Sequence, residues 1–151
     1  MTAATLEPVN TPTSLPATTP APVTTSANPL RPANIVWFEI PVADLDRATR
    51  FYEAIFALQL VENPHFPGLR VFPYDRPAIS GCLFAHGPTP TLDGTVVYLN
   101  CDGQLDAVLK RAQAAGGKIL EEVAQLPAGL GWTAQIRDSE GNRVGLHSAT
   151  A

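Results

Sequence analysis

Val36–Tyr52 reads VWFEIPVADLDRATRFY, and the order of its residues decides the fold. Six of the first seven positions are β-branched, aromatic or proline and suit a strand spanning 34–42. Asp44 then stands where a helix N-cap belongs, its short carboxylate able to accept the first free backbone N–H groups. From Leu45 to Leu58, Leu45, Ala48, Phe51, Tyr52, Ile55 and Phe56 recur at helical spacing, so one face of that helix is apolar. One residue breaks the pattern. Glu39 puts a carboxylate inside an otherwise apolar strand.

Period two resolves the conflict. Side chains alternate across a strand, so Trp37, Glu39 and Pro41 share one face and Val36, Phe38, Ile40 and Val42 the other. The second set is wholly apolar and is expected to face the helix. Glu39 then belongs to the opposite, open face, where it needs solvent or a partner. Tyr98, His147, Arg70 and Arg137 are the candidate partners.

Working outward, a short strand at 58–62 precedes the loop NPHFPG, and strands are expected at 69–74 and 78–86. The order then repeats: GTVVYLNCD is a strand, 104–115 a helix with Leu105, Val108, Leu109 and Ala112 on one side, and AAGG its end. Strands at 117–124, 132–138 and 142–148 follow, the last two joined by the polar turn DSEGN. FEIPVADLDRATRFYEAIF lies over YLNCDGQLDAVLKRAQAAG. The chain is therefore α+β, two tandem βαβββ modules at 33–87 and 92–149. Residues 1–32, rich in Pro, Thr and Ala, lack the large apolar groups that offset ordering entropy and are expected to form a disordered tail.

Composition narrows the function classes. The 151 residues are 45% hydrophobic, enough for a core, and 16% charged with a net charge of −4. That mild acidity argues against a nucleic-acid partner. No apolar run approaches the roughly 20 residues of a membrane helix, and the N-terminus lacks a secretory pattern. Cys82 and Cys101 have neither zinc spacing nor a disulfide framework, so a cytoplasmic setting is expected, and both read as small core residues that alternate onto the helix side.

The run V-A-D-L-D-R-A-x-x-F-Y at 42–52, AAGG at 114–117 and DSEGNRV at 138–144, in this element order, resemble the vicinal oxygen chelate superfamily. That group includes glyoxalases, bleomycin-binding proteins, fosfomycin resistance enzymes and extradiol dioxygenases. The resemblance spans about residues 34–148. It implies a U-shaped mixed sheet around a cavity, homodimerisation, and in the metal enzymes up to four ligands on the first and last strands of the modules. Those positions correspond here to Trp37, Gly81, Val96 and Gly145. None of these side chains can chelate, so no cofactor is expected and a divalent metal is disfavoured.

Strand parity puts Val96, Tyr98 and Asn100 on the open side, with Gly145 and His147 on the last strand. Trp37, Glu39, Tyr98, Asn100, Trp132 and His147 are the expected ligand-binding residues. The leading reading is a metal-free module that binds a small aromatic or cationic organic molecule, as drug-sequestering relatives do. A second is a metal-free isomerase or lyase with Glu39 as base and His147 as acid. A third is a displaced metal site of Glu39, Tyr98 and His147, whose fourth position, Leu83, has no donor.

Overall fold

A computed structural model describes residues 35–150. The stretch 1–32, expected as a tail, lies outside the described residues. The first module runs β1 (Trp37–Pro41), α1 (Leu45–Phe56), β2 (Val61–Glu62), β3 (Leu69–Val71) and β4 (Ser80–Phe84). The second runs β5 (Tyr98–Asn100), α2 (Leu105–Ala114), β6 (Lys118–Gln125), β7 (Trp132–Arg137) and β8 (Arg143–Ser148). The order βαβββ is thus repeated, in two four-stranded mixed sheets: β1-β4-β3-β2 and β5-β8-β7-β6. In each, the first strand runs parallel to the last and the other pairs are antiparallel. The expected strand at 69–74 stops at Val71, ahead of Pro73, which has no N–H for a ladder.

The helices form for the reasons their sequences give. Asp44 accepts from the Arg47 backbone N–H at 2.9 Å and caps α1. Ala48, Phe51, Tyr52 and Ile55 are the buried face of α1, and Leu105, Val108, Leu109 and Ala112 that of α2. These residues join Ile40 and Leu83 of one sheet and Ile136, Val144 and Leu146 of the other in a single apolar core. The helix-side expectation fails at Val36, which is 79% exposed. β1 begins only at Trp37, so Val36 lies short of the sheet and of the helix that covers it.

The two modules are locked together by the turn DSEGN. Asp138 is buried, and its Oδ1 accepts from the backbone N–H groups of Glu140, Gly141 and Asn142 at 2.8–2.9 Å. Its Oδ2 accepts from the Tyr52 hydroxyl of α1 at 2.7 Å and from Asn142 Nδ2 at 2.9 Å. The same Asn142 amide donates to the Pro41 carbonyl at the end of β1. Glu140 reaches back to α1, accepting from the N–H groups of Ala43 and Asp44 and from two nitrogens of Arg47. A carboxylate at a helix N-terminus also meets the positive end of the helix dipole.

This last arrangement has a pH signature. Burial pushes the Glu140 carboxyl up, but Arg47 and the Asp44 N–H outweigh it, and the net effect holds the group below its ordinary value. A depressed carboxylate contributes stability that is complete above its unfolded pKa and lost as pH falls through the folded one. Urea midpoints should therefore separate wild type from Glu140→Gln clearly at pH 7, and the gap should close once pH drops well below about 4. An equal gap at pH 7 and pH 3 would contradict this account of the junction.

Candidate ligand-binding site

Along β1 exposure alternates as the sequence predicts: Trp37 and Glu39 are exposed, Phe38 and Ile40 turn to the core. The strand carboxylate is open to solvent. Glu39 enters no ion pair among the described residues. Of its candidate partners, Arg70 instead lies 3.7 Å from Glu62, and Arg137 has a buried Nε without a hydrogen-bond partner among the described residues.

Strand pairing defines what else shares this face. Trp37 pairs with Ser80, Glu39 with Cys82, and Cys82 with Val71. Paired residues project to the same side of a sheet. Cys82 is therefore on the open face beneath Glu39 and Trp37, not on the helix side, and Gly81 turns toward the core with Phe38. Burial, reinforced by the Glu39 charge and opposed by a contact with Trp37, pushes the Cys82 thiol up. Cys101 does sit on the helix side, as expected, and burial holds its thiol at about 11.

Trp37 is 38% exposed and meets Tyr74 edge-on, with ring centroids 6.3 Å apart. The two aromatics border a cavity of about 590 Å³ that Val61, His65 and Val71 also line. That volume accommodates a small organic molecule. Val71 follows from strand parity once the pairing is known. Tyr74 and His65 come from loops, where no periodicity announces them.

The second sheet has its own open face. Tyr98 pairs with Gly145 and Asn100 with His147, while Gln135 and Thr133 continue the two rows on β7. Tyr98 is 47% exposed and its hydroxyl is held by the Gln135 amide at 3.0 Å. Asn100 Oδ1 accepts from the Asp102 backbone N–H, which keeps the side chain at the strand end. His147 Nε2 lies 2.8 Å from the Leu130 carbonyl. A carbonyl can only accept, so Nε2 carries a proton, and a neutral His147 presents Nδ1 as an acceptor.

The expected set is thus divided. Trp37 and Glu39 belong to one sheet, and Tyr98, Asn100 and His147 to the other. Trp37 borders the cavity just described, whereas Tyr98 borders another of about 630 Å³ with Val96, Phe38 and Ile79. No hydrogen bond or ion pair among the described residues joins Glu39 to Tyr98 or His147. Trp132 lies away from both of these cavities. It pairs with Ser148, opposite in parity to His147, and packs half-buried against the core. It lines a third cavity, of about 540 Å³, with Gln104, Leu105 and Lys110 of the α2 region.

A family model described as the Glyoxalase/Bleomycin resistance protein/Dioxygenase superfamily matches residues 34–146. The chain belongs to this superfamily. No curated protein matches it in sequence. Among solved structures, a glyoxalase/bleomycin resistance protein from Albidiferax ferrireducens T118 is similar, with a TM-score of 0.64 and 21% identity over 77% of this chain and 98% of that one. TnmS3, an antibiotic binding protein from Streptomyces sp. CB03234, gives 0.57 and 22% over 77% and 95%. A lactoylglutathione lyase from Agrobacterium tumefaciens gives 0.54 and 25% over 78% and 96%.

Equivalent backbone bonds correct the repeat alignment of this superfamily member. Val42 N–H to Phe84 carbonyl in the first module matches Cys101 N–H to His147 carbonyl in the second. By that match Trp37 corresponds to Val96, Glu39 to Tyr98, and Cys82, rather than Gly81, to Gly145. The helices match one residue later, Leu45 with Leu105, because the link into α2 is one residue longer. The superfamily's chelating positions are then Trp37, Cys82, Val96 and Gly145. Only Cys82 has a donor atom, and it is fully buried with its thiol held protonated beyond the ordinary range. A metal would need a thiolate and further imidazole or carboxylate groups. This donor set does not fit a chelated divalent ion.

Proposed function

We propose that this chain binds a small planar organic cation on the open face of its first sheet and sequesters it without turnover. The observation that carries the reading is Trp37: a partly exposed indole, steadied by Tyr74, beside an exposed Glu39 that has no ion pair among the described residues, on a face where chelating groups would otherwise stand. An aromatic face attracts a cation through its quadrupole, and a nearby carboxylate adds to that attraction. The neighbour described as an antibiotic binding protein is a fold-level parallel and adds support of that kind only. The finer reading also includes a homodimer in which a second copy helps cover the open faces, and a cytoplasmic setting, which two buried free thiols favour.

Titration of the protein into 9-aminoacridine, followed by the dye's own fluorescence polarisation, tests this. Trp37→Ala should weaken binding by about tenfold or more, the loss of an aromatic–cation contact in a partly desolvated site. Glu39→Gln should weaken it only by about two- to fivefold, because an exposed charge is screened. Recovery of the dye unchanged is expected. Equal affinity in Trp37→Ala, or conversion of the dye, would overturn the proposal.

A further inference from the structure

The direction of one hydrogen-bond chain on the second sheet's open face follows from the chemistry of its first member. The Arg143 guanidinium has donors only. Its Nη1 faces Gln135 Oε1 at 3.4 Å, and its Nε donates to the Leu92 carbonyl at 3.1 Å. Gln135, itself 9% exposed, must therefore turn its amide oxygen toward Arg143 and its amide nitrogen toward Tyr98. That nitrogen is a donor and lies 3.0 Å from the Tyr98 hydroxyl oxygen. The tyrosine oxygen is consequently an acceptor inside the protein, and its own proton is left for something outside.

The ring that carries this proton is equally fixed. Tyr98 pairs across the parallel ladder with Gly145, and a Cβ at Gly145 would run into the ring atoms. With hydrogen in place of a side chain there, the ring lies over the strand, yet 47% of the residue stays exposed. The result is a flat apolar surface with one outward O–H at its rim. Arg143, half in solvent, adds a positive charge on the same face, partly offset by Glu121 at 3.9 Å.

We infer that Tyr98 is a donor platform: it selects planar ligands that carry an acceptor oxygen, a ketone, quinone-type carbonyl, carboxylate or phenolate, and Gln135 and Arg143 are the positioning residues that fix this preference. The inference rests on the reading that the open sheet faces bind small molecules. It assigns the second face a chemistry unlike that of the first, where Glu39 favours a cation.

Gln135→Glu tests the direction of the chain with almost no change of shape. A carboxylate accepts from Arg143 and from Tyr98 alike, so the tyrosine proton turns inward and only its lone pairs face out. Two neutral probes separate the effects from simple charge repulsion: 2-acetylnaphthalene, which only accepts, and indole, which only donates. Wild type should prefer 2-acetylnaphthalene. Both Gln135→Glu and Tyr98→Phe should weaken that probe by about five- to tenfold, the range of one hydrogen bond, and Gln135→Glu should not weaken indole. A ligand-free readout stands beside them. The Gln135 side-chain ¹⁵N amide signal should shift in Tyr98→Phe, because that nitrogen faces the ring. An unmoved signal, or an unchanged probe ratio in Gln135→Glu, would overturn the inference while leaving open-face binding intact. Neither probe bound by wild type would overturn the inference, and 9-aminoacridine unbound as well would overturn the open-face reading with it.

Discussion

Replacing Asp138 by alanine should lower stability by about 3–5 kcal/mol, the cost of removing one member of a buried, charged hydrogen-bond network. Chemical denaturation at pH 7 reads this directly as a fall in the urea midpoint. The size follows from geometry. One fully buried carboxylate receives three backbone N–H groups, a tyrosine hydroxyl and an asparagine amide. Alanine strands all of these donors at a place water does not reach, and it frees α1 from the β7–β8 turn. Asp138→Asn should not rescue the loss fully, since its amide nitrogen would oppose the Asn142 amide or the three backbone donors. Tyr52→Phe removes a single bond to a charged acceptor and should cost about 1.5–3 kcal/mol.

The Tyr52 variant has a further signature at high pH. Burial, with the Asp138 charge behind it, pushes the Tyr52 hydroxyl well above its ordinary value of 10. The unfolded chain therefore releases this proton before the folded chain does, and stability falls as pH rises past about 10. Tyr52→Phe should flatten that alkaline limb. A limb as steep in the variant as in wild type would place its cause elsewhere.

Gly131→Ala should cost about 2–4 kcal/mol, combining backbone strain with a steric clash. Gly131 has a φ of +91°, a region that side-chain-bearing residues seldom occupy, and a methyl group there would overlap the Ser148 carbonyl oxygen. That oxygen belongs to the neighbouring strand and cannot swing aside as a side-chain tip could. The damage should reach the open face. The Leu130 carbonyl next door holds His147 Nε2, so a shifted loop should move the His147 ring resonances in an NMR spectrum even where the protein remains folded. A thermal midpoint within a degree of wild type would contradict the geometry of this loop.

The sequence made the repeat and the strand phase legible because both are written in alternation. Phe38 and Ile40 face a helix while Trp37 and Glu39 face outward, and only one phase of a two-residue period satisfies both. Register between strands is written less plainly. In ISGCLF every side chain is small or apolar, so neither parity is penalised, and Gly81 and Cys82 could not be told apart until β1 and β4 were paired. The overlay of the two halves was anchored by Leu45 and Leu105 in the helices, which hid the extra residue in the link before α2.

Trp132 shows the same limit from another side. Its face depends on how β7 lies against β8, and that is set by the length of the DSEGN turn rather than by anything at Trp132 itself. The turn was recognisable as a turn, but its second function was not. That Asp138 and Glu140 clamp α1 depends on a contact across more than 80 residues, which no local pattern encodes. Tyr74 and His65 reach the cavity beside Trp37 from loops and carried no signal of their own.

The central claim is that the face bearing Trp37 and Glu39 recognises a ligand with its own side chains, without a chelated ion. The most direct measurement is a ¹⁵N-resolved NMR titration of chelator-treated protein with 9-aminoacridine. Saturable shifts are expected, centred on the Trp37 indole N–H and the amides of Glu39, Val71 and Tyr74, and unaltered when a divalent metal is added back. Shifts that require the metal, or that centre on α1 and α2 instead, would contradict it.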